Sequence, residues 1–164
     1  MFPDHLLIAA RLLLGDAEDR RLKLVTAESC TGGLVAACLT EIAGSSKVVE
    51  RGFVTYSNRS KEEMLGVPGD LIADAGAVSE PVARMMAEGA LRESNANIAV
   101  AITGVAGPGG GTAMKPVGLV HFACARENKS LMHERHLFGD IGRSEIREKA
   151  IEVALAMLHR MVVG

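Results

Sequence analysis

The stretch ANIAVAI at residues 96–102 decides the fold class of this chain. Apart from Asn97 it is an apolar run with small residues around it, and this pattern is typical of a strand that is buried on both faces. A strand of this kind needs helices above and below its sheet to cover both faces. The run therefore predicts a β-strand inside a layered α/β domain.

Predicted helices and strands alternate on both sides of this run. Helices are expected at 1–20, 34–42, 59–65, 68–75 and 79–94, and from Arg143 onward. Strands are expected at 22–26 and 48–57, and a hairpin is expected to join 117–125 to 131–138. Because the hairpin adds antiparallel strands to strands linked by crossovers, we predict a layered α/β/α sandwich around a mixed β-sheet.

Size and charge exclude several classes of protein. A chain of 164 residues is close to the modal domain size, so one domain over 1–164 is expected. The formal net charge of -2 lacks the basic excess of a nucleic-acid binder, and an aromatic content of 3% leaves little for base stacking. We therefore expect no nucleic-acid partner.

The compartment is predicted from the apolar segments and the cysteines. No apolar run approaches the roughly 18 residues of a membrane span, and Asp4 and Arg11 interrupt the pattern of a signal peptide. The three cysteines are an odd number with no CxxC pair, which argues against a disulfide framework and a zinc site. A soluble protein of the reducing cytoplasm, with no membrane partner, is expected.

Ser29 is the first candidate for chemistry, in the segment AESCTGG at 27–33. It follows a predicted strand and precedes a predicted helix, where Gly32 and Gly33 would let a substrate approach backbone N–H groups. Ser29 can then be a nucleophile beside an oxyanion hole. Two other interpretations stay open: Ser29 or Thr31 is only a helix N-cap, or Cys30 is the nucleophile.

Lys61 is the second candidate, in the segment YSNRSK that begins at Tyr56. A lysine can act as a general base when burial lowers its pKa from about 10.4 toward neutrality. The alternative is an ordinary solvated surface lysine. The sequence contains no Ser-x-x-Lys motif, so a Ser–Lys pair would have to assemble across the fold.

The glycine-rich segment TGVAGPGGGT at 103–112 follows the buried strand. Ligands of open α/β sheets bind outside the carboxyl ends of strands, so the segment is well placed for a site. It matches neither a dinucleotide-binding fingerprint nor a P-loop. Arg143 opens the last helix, where positive charge is unfavourable, so it either serves a ligand anion or is neutralised by Asp140 or Glu145.

The histidines predict no metal site. His133 and His136 are three residues apart on a presumed strand, so their side chains should point to opposite faces. His5, His121 and His159 have no partner nearby in the sequence. A metal cofactor is therefore not expected.

Five motifs in order resemble the CinA C-terminal domain family, which are nicotinamide-nucleotide amidases, also called nicotinamide mononucleotide deamidases. The resemblance covers nearly the whole chain and rests on AESCTGG at 27–33, GFVTYS at 52–57 with Lys61, AVS at 77–79, AITGVAGPG at 101–109 and KPVG at 115–118. It implies hydrolysis of nicotinamide mononucleotide to nicotinic acid mononucleotide and ammonia in pyridine-nucleotide recycling. It also implies that no metal or organic cofactor is needed.

The resemblance implies roles for individual residues and an assembly. Ser29 is expected to be the nucleophile and Lys61 the base, with Tyr56 in the same pocket. Backbone N–H groups of Thr31, Gly32 and Gly33 are expected to meet the oxyanion. The remaining substrate-binding residues are expected to be Ser46, Thr103, Gly104 and Arg143. A homodimer or a higher homo-oligomer is implied as well.

Two departures and two alternatives accompany the resemblance. Family members often carry a larger N-terminal molybdopterin-binding-like domain, so this chain resembles the stand-alone form. An acidic residue often precedes Lys-Pro-Val-Gly, and here Met114 stands at that position. The alternatives are a non-catalytic nucleotide-binding or regulatory domain of the same fold, and an amidase of another small amide.

Overall fold

The computed structural model describes all residues from Met1 to Gly164, and its centre is a mixed sheet of five strands. The strands are β1 (Leu24–Glu28), β2 (Val49–Val54), β3 (Ile98–Gly104), β4 (Leu119–Arg126) and β5 (Met132–Leu137), in the order β2-β1-β3-β4-β5. β1 is parallel to both β2 and β3, whereas β4 is antiparallel to β3 and to β5. The prediction of a mixed sheet with one hairpin is confirmed.

Six α-helices cover both faces of the sheet. They are α1 (Asp4–Asp19), α2 (Leu34–Thr40), α3 (Asn58–Leu65), α4 (Gly69–Ala75), α5 (Glu80–Arg92) and α6 (Arg143–Val163). One apolar cluster joins α1, α2 and α6 to the sheet, and a second joins α3, α4 and α5 to its other face. The predicted α/β/α sandwich is confirmed. No helix combines the length and the apolar composition needed to cross a membrane.

Residues 98–102 of the segment ANIAVAI lie in β3 and are buried on both faces, as their composition predicts, whereas Ala96 and Asn97 precede the strand. Ile98, Val100 and Ile102 belong to the cluster with α1, α2 and α6, and they are fully buried. Ala99 and Ala101 point the other way and pack in the cluster with α5. The alternation of large and small side chains follows the period of two of a strand and lets α5 lie close to the sheet.

Capping residues explain where several elements begin and end. Ser57 was placed in a strand, but its side chain accepts a hydrogen bond from the Ser60 amide at 3.0 Å and caps α3. β2 therefore ends at Val54 instead of reaching residue 57. Ser79 accepts a hydrogen bond from the Val82 amide at 3.4 Å and caps α5, as its position before a proline predicts.

The chain order creates a crevice at one end of the sheet. After β1 the chain crosses to β2 on one side, and after β2 it returns to β3 on the other side of β1. Helices that leave neighbouring strands in opposite directions open a gap at the carboxyl ends, where ligands of open α/β sheets bind. The residue directly after β1 is Ser29.

Candidate active site

The turn from β1 to α2 presents Ser29 at the edge of this crevice. Gly32 and Gly33 have φ angles of 57° and 105°, in the left-handed region that glycine adopts without steric cost. The carboxylate of Glu28, fully buried, accepts hydrogen bonds from the Val35 and Ala36 amides at 2.9 and 3.1 Å. Glu28 thereby ties the end of β1 to the first turn of α2.

The capping interpretation of Ser29 and Thr31 is wrong. The N-cap residue of α2 is Gly33, and the first-turn amides of Val35 and Ala36 donate to the Glu28 carboxylate, not to Ser29 or Thr31. The hydroxyl of Ser29 instead contacts Lys61, and the hydroxyl of Thr31 is buried without a hydrogen-bond partner. Ser29 itself is only 8% exposed, so its hydroxyl lies inside the crevice wall.

Lys61 is buried beside Ser29, although the two residues are far apart in sequence. It lies on α3, its side chain is 1% exposed, and its Nζ is 2.9 Å from Ser29 Oγ. The same nitrogen donates to the carbonyl oxygens of Thr55 at 2.8 Å and Tyr56 at 3.3 Å. Carbonyls only accept, so a neutral amine that gives them its two protons turns its lone pair toward the Ser29 hydroxyl.

Burial lowers the pKa of Lys61 from its ordinary value of 10.5 to about 8. The cause is desolvation, which disfavours the charged ammonium, and no carboxylate forms an ion pair with Lys61 to offset it. A substantial fraction of the amine is neutral near pH 8. The surface-lysine interpretation is therefore wrong.

The turn that carries Ser29 also offers unpaired backbone donors. The Gly32 amide donates to the Ser29 carbonyl at 3.0 Å, so it is already used. The amides of Cys30, Thr31 and Gly33 donate no hydrogen bond within the protein. An amide directly after a nucleophilic serine is the usual donor of an oxyanion hole on such strand-to-helix turns.

A cleft of about 240 Å³ brings most of the predicted residues together. It is lined by Ser29, Cys30, Tyr56, Asn58, Lys61, Ala77, Val78, Thr103, Gly104, Ala106 and Arg143. Thr103 is 1% exposed, and its hydroxyl donates to the Ala77 carbonyl at 2.9 Å. Thr103 therefore ties β3 to the segment before α5 at the floor of the cleft.

Arg143 and Tyr56 stand at the mouth of the cleft. Arg143 donates to the Tyr56 hydroxyl at 3.0 Å and to the Gly107 carbonyl at 2.7 Å. It forms no ion pair, so neither Asp140 nor Glu145 neutralises it. Its positive charge is free to meet a ligand anion. Met114, which stands where the family often has an acidic residue, is 85% exposed and lies outside the cleft.

Four predicted site residues do not line this cleft: Thr31, Gly32 and Gly33, which belong to the turn after Ser29, and Ser46. Ser46 is exposed in a short 3-10 helix, Ser45–Lys47, that precedes β2. This helix leads into the amino end of β2, beside the start of β1, which places Ser46 roughly 15 Å from Ser29 along the sheet. The structure therefore does not bring Ser46 into the cleft of this chain.

Cys30 lines the cleft but is a poor nucleophile. Burial raises the pKa of its thiol to about 12, so the reactive thiolate is scarce at neutral pH. No histidine lines the cleft to activate it. The geometry favours Ser29 over Cys30.

The sequence analysis missed several cleft and turn residues. Asn58, Val78 and Ala106 line the cleft without a motif that marks them. Arg147 donates to the carbonyls of Cys30 and Thr31. It lies one helical turn after Arg143, and this i, i+4 spacing is the signal that two arginines share one face of α6.

The histidines lie apart from the Ser29–Lys61 pair. His133 and His136 do face opposite sides of the sheet: His133 contacts Glu80 on α5, and His136 stacks on Phe138. His121, without a partner in the sequence, shares a hydrogen bond of 2.9 Å with His133 across the hairpin. No group of three or more His, Cys, Asp or Glu side chains is arranged to hold a metal ion.

Known proteins resemble this chain in both sequence and structure. The sequence model of the CinA C-terminal domain matches residues 8–162. A CinA-like protein of Mycobacterium sp. (strain JLS) is 55% identical over 84% of this chain and 32% of its own length. A putative competence-damage inducible protein of Caldicellulosiruptor bescii is 43% identical over 93% of this chain and 36% of its own length. The chain thus spans about a third of these curated relatives.

Solved structures share the whole fold. The competence/damage inducible protein CihA from Agrobacterium tumefaciens superposes with a TM-score of 0.97 at 52% identity, over 100% of this chain and 99% of that chain. A competence-damaged protein (CinA) superfamily protein from Escherichia coli superposes with a TM-score of 0.90 at 31% identity, over 100% of this chain and 94% of that chain.

Proposed function

The chain belongs to the CinA C-terminal domain family, and we propose that it is a serine amidohydrolase that converts nicotinamide mononucleotide to nicotinic acid mononucleotide and ammonia. The observation that carries the proposal is the 2.9 Å contact between Ser29 Oγ and the buried amine of Lys61. A hydroxyl is a weak nucleophile at its free pKa, and a neutral amine within hydrogen-bond reach is a competent base for it.

The first half of the reaction forms an acyl-enzyme. Ser29 Oγ attacks the carboxamide carbon as Lys61 takes the hydroxyl proton, and the carbonyl oxygen becomes an oxyanion. The unpaired amides of Cys30 and Thr31 are the donors available to that oxyanion. Lys61 then returns the proton to the leaving nitrogen, the C–N bond breaks, and ammonia departs.

The second half releases the acid. Water attacks the ester carbon of the acyl-enzyme and gives a proton to Lys61, and a second oxyanion forms in the same place. The bond to Ser29 Oγ breaks, Lys61 protonates that oxygen, and the product leaves as the carboxylic acid, which gives its proton to solvent and becomes the carboxylate. The cycle restores Ser29 and Lys61, and the proton that Lys61 exchanges with Ser29 crosses the 2.9 Å contact between Nζ and Oγ.

Substrate recognition is assigned to the mouth of the cleft. Nicotinamide mononucleotide carries a phosphate, and a guanidinium binds phosphate with paired, charge-assisted hydrogen bonds. Arg143 is the one cleft residue with a permanent positive charge, and it already bonds to the glycine-rich segment at Gly107. Amides of that segment, from Gly104 to Gly111, are further candidate donors to the phosphate.

Assembly and compartment belong to the same proposal. A homodimer or higher homo-oligomer is consistent with exposed apolar side chains on α1, where Ile8 is 54% and Leu12 58% exposed. A cytoplasmic location is consistent with three cysteines that are all free thiols. Light scattering coupled to size-exclusion chromatography measures the assembly directly.

Ammonia release from nicotinamide mononucleotide by the purified protein tests the function. We expect turnover by the wild type and a loss of at least about a hundredfold in kcat in Ser29→Ala and in Lys61→Ala. Ser130→Ala and Lys129→Ala, in the exposed hairpin turn at the far end of the sheet, are matched controls that should keep wild-type activity.

Three results would contradict the proposal in different ways. A wild type that binds the nucleotide without hydrolysing it points to a non-catalytic binding domain. Turnover of another small amide but not of nicotinamide mononucleotide would refute the proposed substrate, while the proposed roles of Ser29 and Lys61 would stand. Full activity in Ser29→Ala refutes the nucleophile.

A further inference from the structure

Arg147 donates hydrogen bonds to the turn between β1 and α2 that carries Ser29. Its Nε donates to the Cys30 carbonyl at 3.1 Å, and its Nη2 donates to the Thr31 carbonyl at 3.3 Å. The residue lies on α6, partly buried, and does not line the cleft. It therefore reaches the turn from outside the cleft.

The two carbonyls that Arg147 binds differ in what else holds them. The Thr31 carbonyl also accepts from the Leu34 amide at 3.0 Å, so α2 fixes its position without Arg147. The Cys30 carbonyl accepts from no other group. Arg147 is thus the single hydrogen-bond constraint on the peptide that joins Cys30 to Thr31.

The geometry of a trans peptide transmits this constraint to the amide of Thr31, a fully buried residue next to Cys30 of the cleft lining. A trans peptide is planar, and its C=O and N–H groups point in opposite directions. When Arg147 holds the Cys30 carbonyl on one side, the Thr31 N–H must point to the other side. That N–H is one of the unpaired donors of the turn. The orientation of the neighbouring Cys30 N–H does not depend on Arg147. It belongs to the Ser29–Cys30 peptide, whose carbonyl accepts a hydrogen bond from the Gly32 amide.

The positive charge of Arg147 is not neutralised by a carboxylate and lies next to the turn that carries Ser29. Arg147 forms no ion pair, and its two hydrogen bonds from these nitrogens go to neutral carbonyls. A guanidinium bound to a carbonyl polarises the peptide and strengthens its N–H as a donor. A fixed positive charge also favours a developing oxyanion when little water lies between them.

We propose that Arg147 is a positioning residue that aims and polarises the Thr31 N–H, and so completes the oxyanion hole of the amidase. This inference rests on the proposed function for its catalytic consequence. Its structural part, control of the Thr31 amide by Arg147, does not depend on which substrate the enzyme uses.

The kinetic arm compares Arg147→Ala, Arg147→Lys and the wild type. We expect Arg147→Ala to lower kcat by about 10- to 100-fold with KM within about threefold, as for loss of one oxyanion donor. Free guanidinium at millimolar, non-denaturing concentration should restore part of kcat in Arg147→Ala. Arg160→Ala, on the exposed far end of α6, is the control and should show neither the loss nor the rescue.

A second arm reads the Thr31 amide without turnover. In 1H–15N spectra, Arg147→Lys should shift the Thr31 resonance and speed its hydrogen exchange, while Leu34 stays unchanged. An unchanged Thr31 amide overturns the inference whatever the activity. Failure of the wild type to release ammonia refutes the proposed function, and the Thr31 resonance still decides the role of Arg147. The melting temperature of each variant shows whether a loss of activity comes from unfolding or from a changed position of the Thr31 amide.

Discussion

The Thr55 carbonyl accepts a hydrogen bond from Lys61 Nζ at 2.8 Å, although Thr55 is only six residues earlier in the chain. The segment between β2 and α3 therefore binds the Lys61 amine through the Thr55 carbonyl and fixes its position next to Ser29. Thr55 is in turn held by its own amide, which donates to the Glu28 carbonyl at 2.9 Å. One short chain of hydrogen bonds thus links Glu28 at the end of β1, Thr55 after β2 and the amine of Lys61.

The pH dependence of the reaction should follow Lys61. The base must be neutral, and burial places its pKa at about 8. We expect kcat/KM to rise tenfold per pH unit below pH 8 and to level off above it. Initial rates of ammonia release between pH 6.5 and pH 10 measure this directly. A flat profile below pH 8 would contradict a lysine base.

Burial of Lys61 should cost stability. Its pKa falls from 10.5 to about 8, which corresponds to about 3 kcal/mol, and Lys61→Met removes that penalty while orphaning carbonyls worth about 1 kcal/mol. We expect Lys61→Met to be inactive yet about 1–2 kcal/mol more stable to urea at pH 7. The lowered pKa of Lys61 destabilises the folded state fully below pH 8 and no longer above pH 10.5. The stability gain of Lys61→Met should therefore shrink as the pH rises from 8 to 10.5. An advantage of the same size at pH 10 would refute this explanation.

Patterns within one segment predicted most of the fold. The apolar run of β3, the Ser79 cap and the hairpin depend on neighbouring residues, and each of these predictions is confirmed. The predicted end of β2 is wrong, because Ser57 caps α3 and such a side-chain cap competes with extension of the strand. Local propensity does not show which of the two wins.

The site was harder to predict, because it joins residues from distant segments. Ser29 and Lys61 are candidates from their own segments, and the family resemblance pairs them as nucleophile and base, whereas their 2.9 Å contact depends on how β2 and α3 pack against β1. Ser46 matched a motif position and yet lies at the other end of the sheet. Arg147 has no motif, and only the packing of α6 against the turn reveals it.

Cys30 should be dispensable and slow to react. Its thiol is 6% exposed, and burial raises its pKa to about 12. We expect Cys30→Ala to keep kcat within about threefold and to lose about 1 kcal/mol of stability from the small cavity. Labelling of the native protein with iodoacetamide at pH 8, followed by mass spectrometry, should leave Cys30 unmodified. Loss of activity as deep as in Ser29→Ala would favour the cysteine mechanism instead.

Two glycine substitutions should change stability in opposite directions. A Cβ at Gly89 on α5 would collide with the Leu65 carbonyl oxygen, so Gly89→Ala should lose about 1–3 kcal/mol by forcing α5 from α3. Gly15 is exposed in α1 with nothing within 4 Å of an added Cβ, so Gly15→Ala should gain up to about 1 kcal/mol. Urea unfolding of both variants measures the difference. Equal effects would contradict the close contact between α3 and α5.

Arg143 should recognise the phosphate and not the reacting amide. Its guanidinium has no carboxylate partner and stands at the mouth of the cleft, bonded to Tyr56 and Gly107. We expect Arg143→Ala to raise KM for nicotinamide mononucleotide about tenfold or more, as for loss of a charge-assisted hydrogen bond. For nicotinamide riboside, which lacks the phosphate, the same variant should change kcat/KM by less than about threefold.

The comparison of the two substrates isolates the charge of Arg143 from its contacts with the protein. Loss of the Tyr56 and Gly107 hydrogen bonds would disturb both substrates equally, whereas loss of a phosphate contact affects only the nucleotide. Arg59→Ala, which removes an exposed arginine paired with Glu63 on α3, controls for a change in net charge and should leave both substrates unaffected. An equal loss for nucleotide and riboside in Arg143→Ala would assign the residue to shaping the cleft. The phosphate would then have to be held by amides of the glycine-rich segment alone.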